Sequence, residues 1–398
     1  MSTTPIGGNA PGRRVRVLIV DDSAVMRELL RRILSRDPGI EVVGSAPDPI
    51  AAEARIPLDR PDVLTLDVDM PRMDGLTFLE KLMHTNPLPV VMVSALTQRG
   101  CETAMRALEL GAVDVIAKPR FEVENGTRLL ADEIITTVKA AGMARPRRGA
   151  LTRPAAPVSP VRPTSAPSPA APASSAPPTG PRKVLPLPPP KPVPGGTAAE
   201  ARHVLAIGAS TGGTEALMEV LRHLPADAPG TVIVQHMPAG FTKAFASRLD
   251  RACAMSVKEA EDGDAIVRGR VLLAPGDRHM FVDREGGRWV VRLNDDPPVG
   301  YHKPAVDVLL ESVARRLGAH AIGVILTGMG ADGAAGLVAM RKAGAHTVAQ
   351  DEATSVVYGM PREAAARGGA EAVEPLHRIA ATVMRWSDEL RRLEGAAA

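Results

Sequence analysis

A long stretch in the middle of the chain cannot build a hydrophobic core. Residues 142–201 consist mainly of Pro, Ala, Ser and Arg, and no apolar periodicity survives in them. Such a composition predicts disorder or stiff polyproline, so we interpret it as a semi-rigid linker rather than a PxxP docking segment. The 398-residue chain must therefore build its cores on either side. We expect two domains, at residues 13–141 and 202–393.

Composition narrows the class of protein. Aromatic residues make up only 2% of the chain, so the cores must consist of Val, Leu, Ile, Ala and Met. The net charge is +3, and the basic cluster at 145–148 lacks interleaved aromatic residues, so we expect no nucleic-acid binding. Cys101 and Cys253 have no metal-ligand spacing and indicate a reducing compartment. No signal peptide or membrane-spanning run is recognisable, which predicts a cytoplasmic protein without direct membrane insertion.

The first domain alternates strand and helix patterns five times. This alternation predicts a doubly wound α/β fold with a parallel sheet. The helices between the strands carry apolar residues at three- and four-residue spacing. The predicted strands cover residues 15–20, 41–46, 62–67, 89–94 and 112–118.

Polar residues follow the strands of this first domain at the edge where an open α/β sheet places its chemistry. They are three carboxylates, Asp21, Asp22 and Asp67, together with Ser94 and Lys118. Three clustered carboxylates repel one another unless a hard cation lies among them, and Mg²⁺ prefers oxygen ligands. The hydroxyl and the lysine can bind the remaining oxygens of a phosphoryl group.

The motifs around these residues resemble the receiver domain of bacterial response regulators. The resemblance covers the whole domain and implies a flavodoxin-like fold in which Asp67 accepts a phosphoryl group from a histidine kinase. The motifs are Val20-Asp-Asp-Ser23, Leu66-Asp-Val-Asp-Met-Pro71 with Met73-Asp-Gly75, Val93-Ser94 and Lys118-Pro119.

The same resemblance assigns the other receiver residues. It implies that Asp22, Asp67 and the backbone carbonyl of Asp69 ligate Mg²⁺, and that Asp21 acts through water. It also implies that Ser94 and Lys118 sense the phosphate. Val115 stands where receivers often carry an aromatic switch residue. Phosphorylation can therefore be signalled here without a ring flipping inward.

The second domain is also predicted to be α/β. Its strand patterns cover residues 203–208, 231–236, 255–260, 321–328 and 346–350, and its helices lie near 213–223, 240–251, 304–317, 333–343 and 375–393. Three further apolar runs, VLLAP, HMFVD and RWVVRL, predict a β-meander with a hairpin turn at Glu285-Gly-Gly-Arg288.

Ser210 lies on the turn between the first strand and the first helix of this domain. The string Gly208-Ala-Ser-Thr-Gly212 matches the G-x-S-x-G pattern of a nucleophile elbow. A serine there faces backbone N–H groups at a helix N-terminus, which can hold an oxyanion. The pattern alone is weak evidence, because Gly/Ser turns after strands are common in proteins without a catalytic serine.

A serine nucleophile needs a general base, and location selects among the histidines. Only His236 closes a buried strand at the same edge as Ser210, which makes it the best candidate. His279 and His302 lie in or near the predicted meander and remain alternatives.

The carboxylate that orients the base has two candidates. Asp332 and Asp351 each follow a predicted strand. The glycine-rich surroundings of Asp332 favour it modestly, because backbone can approach a reacting centre there.

This domain as a whole resembles the catalytic domain of chemotaxis-receptor methylesterases, the CheB family. The resemblance implies Ser210 as nucleophile, His236 as base and Asp332 as its orienter, with backbone N–H groups near Met329 and Thr211 as the oxyanion hole. The matching motifs are Ile207-Gly-Ala-Ser-Thr-Gly-Gly-Thr214, Gln235-His-Met-Pro238, Val257-Lys-Glu-Ala-Glu-Asp-Gly263, Leu273-Ala-Pro-Gly-Asp277, Ile325-Leu-Thr-Gly-Met-Gly330 and Tyr358-Gly-Met-Pro-Arg-Glu363.

The family implies hydrolysis of glutamate γ-methyl esters on chemoreceptors, with deamidation of receptor glutamines as a related activity. It implies no metal in the esterase reaction, activation by phosphorylation, a monomer, and recruitment to membrane receptor clusters. Two alternatives belong to other classes: a receptor-binding adaptor with an esterase-like domain, and a nucleotide-binding enzyme. The loop GASTGG lacks both the G-x-G-x-x-G spacing and a P-loop lysine, which argues against the second.

Overall fold

The computed structural model describes residues 13–119, 126–144 and 202–396. The predicted linker lies outside the described residues except at its first positions, where a helix of the first domain continues to Met143. No helix within the described ranges is both long and apolar enough to cross a membrane.

The N-terminal domain is a five-stranded parallel sheet with strand order β2-β1-β3-β4-β5, as the alternating pattern predicts. The chain direction along the sheet reverses between β1 and β3, which makes that crevice the topological switch point. The elements are β1 Val15–Val20, α1 Ala24–Leu34, β2 Ile40–Ala46, α2 Pro49–Asp59, β3 Val63–Asp67, α3 Gly75–Thr85, β4 Val90–Ser94, α4 Gln98–Glu109, β5 Asp114–Ala117 and α5 Gly126–Met143.

Local chemistry explains where the helices of this domain begin. The side chain of an Asp, Ser or Thr residue accepts a hydrogen bond from a first-turn N–H at four of these helices, and this satisfies a donor that has no intrahelical partner. The capping residues are Ser23, Asp48, Asp74 and Thr97. The strands β3, β4 and β5 are buried throughout, as expected of a sheet covered on both faces.

The C-terminal domain contains a seven-stranded parallel sheet with strand order β14-β13-β12-β6-β7-β9-β8. Its elements are β6 Val204–Ala209, α6 Gly213–Leu221, β7 Gly230–Gln235, α7 Phe241–Ala252, β8 Ser256–Glu259, β9 Arg270–Leu273, β10 His279–Glu285, β11 Arg288–Asn294, α8 Val306–Leu317, β12 Ala321–Ile325, α9 Ala334–Lys342, β13 His346–Gln350, α10 Met360–Ala366, β14 Ala372–Glu374 and α11 Leu376–Ala396.

Two details differ from the sequence-based prediction. The run VLL of the predicted meander is β9, which lies in the parallel sheet between β7 and β8, so only β10 and β11 form the antiparallel pair. The short elements α10 and β14 were not predicted. Helices cover both faces of the sheet, with α6, α7 and α11 on one side and α8, α9 and α10 on the other.

The two domains pack against each other. Helix α4 of the N-terminal domain lies on α7 and reaches α6 of the C-terminal domain. Apolar side chains of both domains, including Leu108 and Phe245, belong to one continuous buried cluster. Arg248 of α7 bridges Glu109 of α4 at 3.1 Å and Glu215 of α6 at 2.7 Å. The contact is therefore both apolar and ionic.

Candidate functional site

The switch point of the seven-stranded sheet lies between the neighbouring strands β6 and β12. The strands that follow β6 in the chain lie on one side of this point, and those that follow β12 lie on the other. Ligands bind at the carboxyl edge of such a point in open α/β sheets. Ser210 follows β6, His236 follows β7, and Asp332 lies in the loop between β12 and α9. The fold thus brings all three predicted side chains to one edge.

Ser210 is held by its backbone. Its N–H donates to the Thr327 carbonyl at 3.0 Å, and its own carbonyl accepts from Gln235 Nε2 at 3.0 Å and from the Gly213 N–H. The residue is half-buried, so the hydroxyl sits in a fixed main-chain frame that solvent can still reach. A fixed frame of this kind suits a nucleophile that must meet its substrate in one orientation.

Gly212 permits the tight turn that follows the serine. Its φ is +76°, in the left-handed region, and it is the N-cap of α6. A Cβ at this position would lie 2.5 Å from the Cβ of Val356. A residue with a side chain is therefore excluded both by conformation and by space.

His236 and Asp332 form a direct pair. His236 Nε2 lies 2.8 Å from Asp332 Oδ2, and the side chains are only 10% and 5% exposed. Because Asp332 accepts this bond as a carboxylate, Nε2 carries the proton and Nδ1 is the basic nitrogen. Nδ1 is buried, and no group among the described residues forms a hydrogen bond with it. The lone pair of Nδ1 is thus available to accept a proton.

The carboxylate of Asp332 is also held by the first turn of α8. The N–H of Val306 donates to Oδ2 at 2.7 Å and the N–H of Asp307 donates to Oδ1 at 2.9 Å. Burial opposes ionisation, but the bonds from His236 and from these two N–H groups outweigh it and lower the pKa of Asp332 to about 2. A helix N-terminus stabilises an anion in this way.

The alternatives left open by the sequence have other roles in the structure. His279 is buried, with Nε2 3.1 Å from the Pro297 carbonyl and Nδ1 accepting from the Ala305 N–H, so both ring nitrogens are engaged. Asp351 accepts from the Thr354 N–H at 3.0 Å and caps a turn. His302 lies beside His236, with the two rings stacked.

The predicted oxyanion-hole residues flank this edge. Thr211 is buried directly after Ser210, and Met329 is half-buried in the loop that follows β12. Met329 also lines a cavity of about 470 Å³, together with Tyr358, Arg362 and, from the end of α5, Met143. The N-terminal domain therefore contributes to the wall of the cavity beside the site.

A second polar cluster lies at the switch point of the N-terminal sheet. Ligand oxygens of Asp21, Asp22 and Asp67 lie within 4.8 Å of one another, the only such cluster of three or more acidic, His or Cys groups in the described ranges. Asp21 Oδ2 is buried, and within the described part of the chain it accepts no hydrogen bond. Burial, with the nearby Asp21 carboxylate adding to it, raises the pKa of Asp67 to about 6 although Lys118 opposes it. A hard divalent cation fits such a set of carboxylate oxygens.

The other predicted residues of this cluster are close by. Lys118 Nζ lies 2.7 Å from Asp67 Oδ2 and 3.6 Å from Asp21 Oδ2. Asp69 donates its N–H to Asp67 Oδ1 at 3.3 Å. Ser94 is fully buried at the end of β4, and its hydroxyl donates to the Gly100 carbonyl at 3.0 Å, so in this state it points toward α4.

The sequence did not reveal the residues of one domain that reach the site of the other. Asp114, at the start of β5, is buried and interacts with the Thr211 side chain of the C-terminal domain. Burial raises the pKa of Asp114 to about 6, and the nearby His236 opposes that shift. No sequence signal marks such a residue, because the contact exists only when the two domains dock.

Two family models match separate stretches of this chain. Residues 17–127 match the family model described as response regulator receiver domain, and residues 205–383 match the model described as CheB methylesterase. A crystal structure of the Thermotoga maritima CheB methylesterase catalytic domain aligns with 46% of this chain and 97% of its own length, at 38% identity and a TM-score of 0.45.

Curated relatives cover almost the whole chain. A protein-glutamate methylesterase/protein-glutamine glutaminase of Xanthomonas campestris is 52% identical over 95% of this chain and 98% of its own length. A protein of the same description from Pseudomonas aeruginosa is 52% identical over 93% of this chain and 96% of its own length.

Proposed function

This chain belongs to the CheB methylesterase family, and we propose that it is a receiver-controlled protein-glutamate methylesterase and protein-glutamine glutaminase. It hydrolyses γ-methyl esters of glutamate, and the amides of glutamine, on methyl-accepting chemoreceptors, and so provides adaptation in chemotaxis. The observation that carries the chemistry is the 2.8 Å contact between His236 and Asp332 at the sheet edge that also bears Ser210.

The reaction follows from the protonation states at this edge. His236 Nδ1 takes the proton of Ser210 Oγ as that oxygen attacks the ester carbonyl. The backbone N–H groups of Thr211 and Met329 donate hydrogen bonds to the oxyanion of the tetrahedral intermediate. When this intermediate collapses, methanol leaves and takes the proton from Nδ1. Water, deprotonated by His236, then attacks the acyl-enzyme and restores the serine. With a glutamine substrate the leaving group is ammonia.

The contribution of Asp332 is electrostatic. Its carboxylate stays ionised at neutral pH because His236 and the N-terminus of α8 stabilise it. It holds the proton on Nε2 and stabilises the imidazolium that forms when Nδ1 is protonated. No metal takes part in these steps.

The receiver domain supplies the control. Asp67 accepts a phosphoryl group from the chemotaxis histidine kinase, and Mg²⁺, held by Asp21, Asp22, Asp67 and the carbonyl of Asp69, would neutralise the charge that the phosphoryl group brings. Lys118 and Ser94 bind the phosphoryl oxygens. Ser94 must turn from the Gly100 carbonyl to do so, and this couples phosphorylation to the start of α4.

Docking of the receiver supports an inhibited state. Helix α4 of the receiver packs on α7 of the catalytic domain, and Asp114 of the receiver contacts Thr211. Met143, at the end of α5, lines the same cavity as Met329. A phosphorylation signal that moves α4 shifts the population toward undocked protein and opens the site. We also propose the division into residues 13–141, 142–201 and 202–393, a monomeric cytoplasmic protein, and its recruitment to receptor clusters.

The test is methanol release from a methylated chemoreceptor fragment by the full-length protein. Release should rise when a small-molecule phosphodonor and Mg²⁺ are added. Ser210→Ala should release none, and Asp67→Asn should keep the basal rate without stimulation. Methanol release by Ser210→Ala would remove this serine from the mechanism, and stimulation of Asp67→Asn would move the phosphorylation site elsewhere.

A further inference from the structure

His302 lies flat against the imidazole of the base, and the reaction above gives it no role. The ring centroids are 3.8 Å apart and the ring planes differ by only 9°. At that separation the two rings are in van der Waals contact across their faces. One face of His236 is therefore covered by another side chain rather than by water.

A tight turn presents His302 in this position. The N–H of each of Val299 and His302 donates to the carbonyl of the other at 3.0 Å, which closes a two-residue turn. Both central residues, Gly300 and Tyr301, have φ in the left-handed region, at +58° and +72°. That conformation is unfavourable for tyrosine, so the surrounding structure must impose it.

The segment is also anchored next to the catalytic carboxylate. His279 holds it on both sides of the turn, through the Pro297 carbonyl and the Ala305 N–H. The following two N–H groups, of Val306 and Asp307, bind Asp332. One stretch of chain thus contacts both the ring face of the base and its carboxylate partner.

The base needs such a second constraint. The bond from Nε2 to Asp332 fixes one point of the ring, but the ring plane can still tilt about that bond. Nδ1 reaches Ser210 only when the plane is correct, and small misplacements cost large factors in rate. We propose that His302 is a positioning residue whose flat face holds the imidazole plane of His236, so that Nδ1 faces Ser210. This inference rests on the proposed function, because it takes His236 as the base.

The charge state of His302 is compatible with this role. Burial, with the neighbouring His236 adding to it, lowers the pKa of His302 to about 3, although Asp332 opposes the shift. The ring is therefore uncharged wherever the enzyme works. A neutral aromatic face attracts the imidazolium that His236 becomes during the reaction, whereas a second cation would repel it.

Substitutions at His302 in the full-length protein distinguish an effect of ring stacking on catalysis from a general loss of stability. His302→Ala should lower kcat about tenfold to a hundredfold with KM changed less than about twofold, because substrate binding does not depend on the ring plane of the base. His302→Phe keeps a flat ring and should restore kcat to within about threefold of the wild type, by the same argument. A control is His346→Ala, which removes another stacked histidine, 4.9 Å from the ring of Trp386 on a different part of the sheet.

Two measurements distinguish an error in the proposed substrate from an error in the role of His302. One is methanol release from the methylated receptor fragment in the presence of phosphodonor, and the other is the rate at which a fluorophosphonate labels Ser210. If the wild type is labelled but releases no methanol, the proposed substrate is wrong, and labelling still measures the role of His302. Wild-type kcat and labelling in His302→Ala would overturn the inference. So would a His302→Phe variant that is as slow as His302→Ala while melting at the wild-type temperature.

Discussion

The side chain of Thr211, in the catalytic domain, interacts with the buried carboxyl group of Asp114, in the receiver domain, and favours its ionised form. Thr211 directly follows Ser210, the proposed nucleophile, so the receiver places an acidic side chain close to the proposed active site. We therefore expect docking of the receiver to hinder access to this site. Asp114 thus links the receiver domain to the proposed catalytic site.

Burial of Asp114 predicts a pH-dependent inhibition. Burial raises the pKa of Asp114 to about 6 in the docked state, whereas an exposed aspartate titrates near 3.9. The docked state thus holds a proton that the undocked state has lost. The contribution of Asp114 to docking is complete below about pH 4 and is lost as the pH rises through about 6. Asp114→Asn cannot ionise, so its docking should not change over this range.

The measurement is methanol release without phosphodonor at pH 5.5 to 8, by the wild type and by Asp114→Asn. The ratio of the two rates cancels any pH dependence of the chemical step that both proteins share. We expect the ratio of wild type to variant to rise several-fold, up to about tenfold, across this range, since one pKa unit corresponds to about 1.4 kcal/mol. A ratio that stays flat would show that Asp114 is not ionised on undocking.

The ion pair across the domain interface should tune the basal activity. Glu109→Gln removes one partner of Arg248, which keeps Glu215 at 2.7 Å. Because Glu109 is about one-third exposed, the loss should be roughly 0.5–1 kcal/mol of docking free energy, a two- to fivefold rise in basal methanol release. The rate with phosphodonor should stay the same, so the fold-stimulation falls.

A matched control for this prediction is Glu28→Gln. Glu28 is an exposed receiver carboxylate that pairs with Arg32 within α1, whereas the interface described above is formed by α4. It should leave both rates at the wild-type level. If Glu109→Gln raises the basal and the stimulated rates by the same factor, the residue acts on catalysis and not on docking.

Replacement of Asp332 should stop catalysis while the fold persists. Asp332→Asn retains the shape but loses the charge that keeps the proton on Nε2, and kcat should fall about 10³- to 10⁴-fold. Asp351→Asn is the paired control, because an asparagine there can still accept from the Thr354 N–H. Methanol release and thermal melting of both proteins decide the question. Comparable losses in the two variants would contradict the assignment of Asp332.

Much of the fold could be predicted because its signals are local. Strand and helix periods alternate in both domains, and the polar residues after β1, β3, β6 and β7 sit where parallel strands end. The run VLL wrongly predicts a meander strand, because a short apolar segment has the same pattern in a parallel and in an antiparallel sheet. β14 and α10 are too short to leave a clear period.

The site was predictable only in part, for a physical reason. Ser210, His236 and Asp332 each follow a strand, so topology alone brings them to one edge. The stack of His302 depends on a turn in which Tyr301 adopts a left-handed φ, and the contact of Asp114 depends on domain docking. Neither is encoded in the spacing of residues along the chain.

The turn after the nucleophile should tolerate no side chain at Gly212. Gly212→Ala combines a left-handed φ of +76° with a Cβ that would lie 2.5 Å from the Val356 Cβ, so the loop must move. Gly286→Ala isolates the conformational part, because Gly286 has a φ of +56° in the β10–β11 turn with nothing within 4 Å of its Cβ position. The control should lose about 1 kcal/mol of unfolding free energy, and Gly212→Ala more than about 2 kcal/mol. Urea unfolding gives both values, and fluorophosphonate labelling of Ser210 should slow only in Gly212→Ala. Equal losses in the two variants, with labelling unchanged, would show that the loop relaxes freely and that Gly212 does not fix the position of the nucleophile.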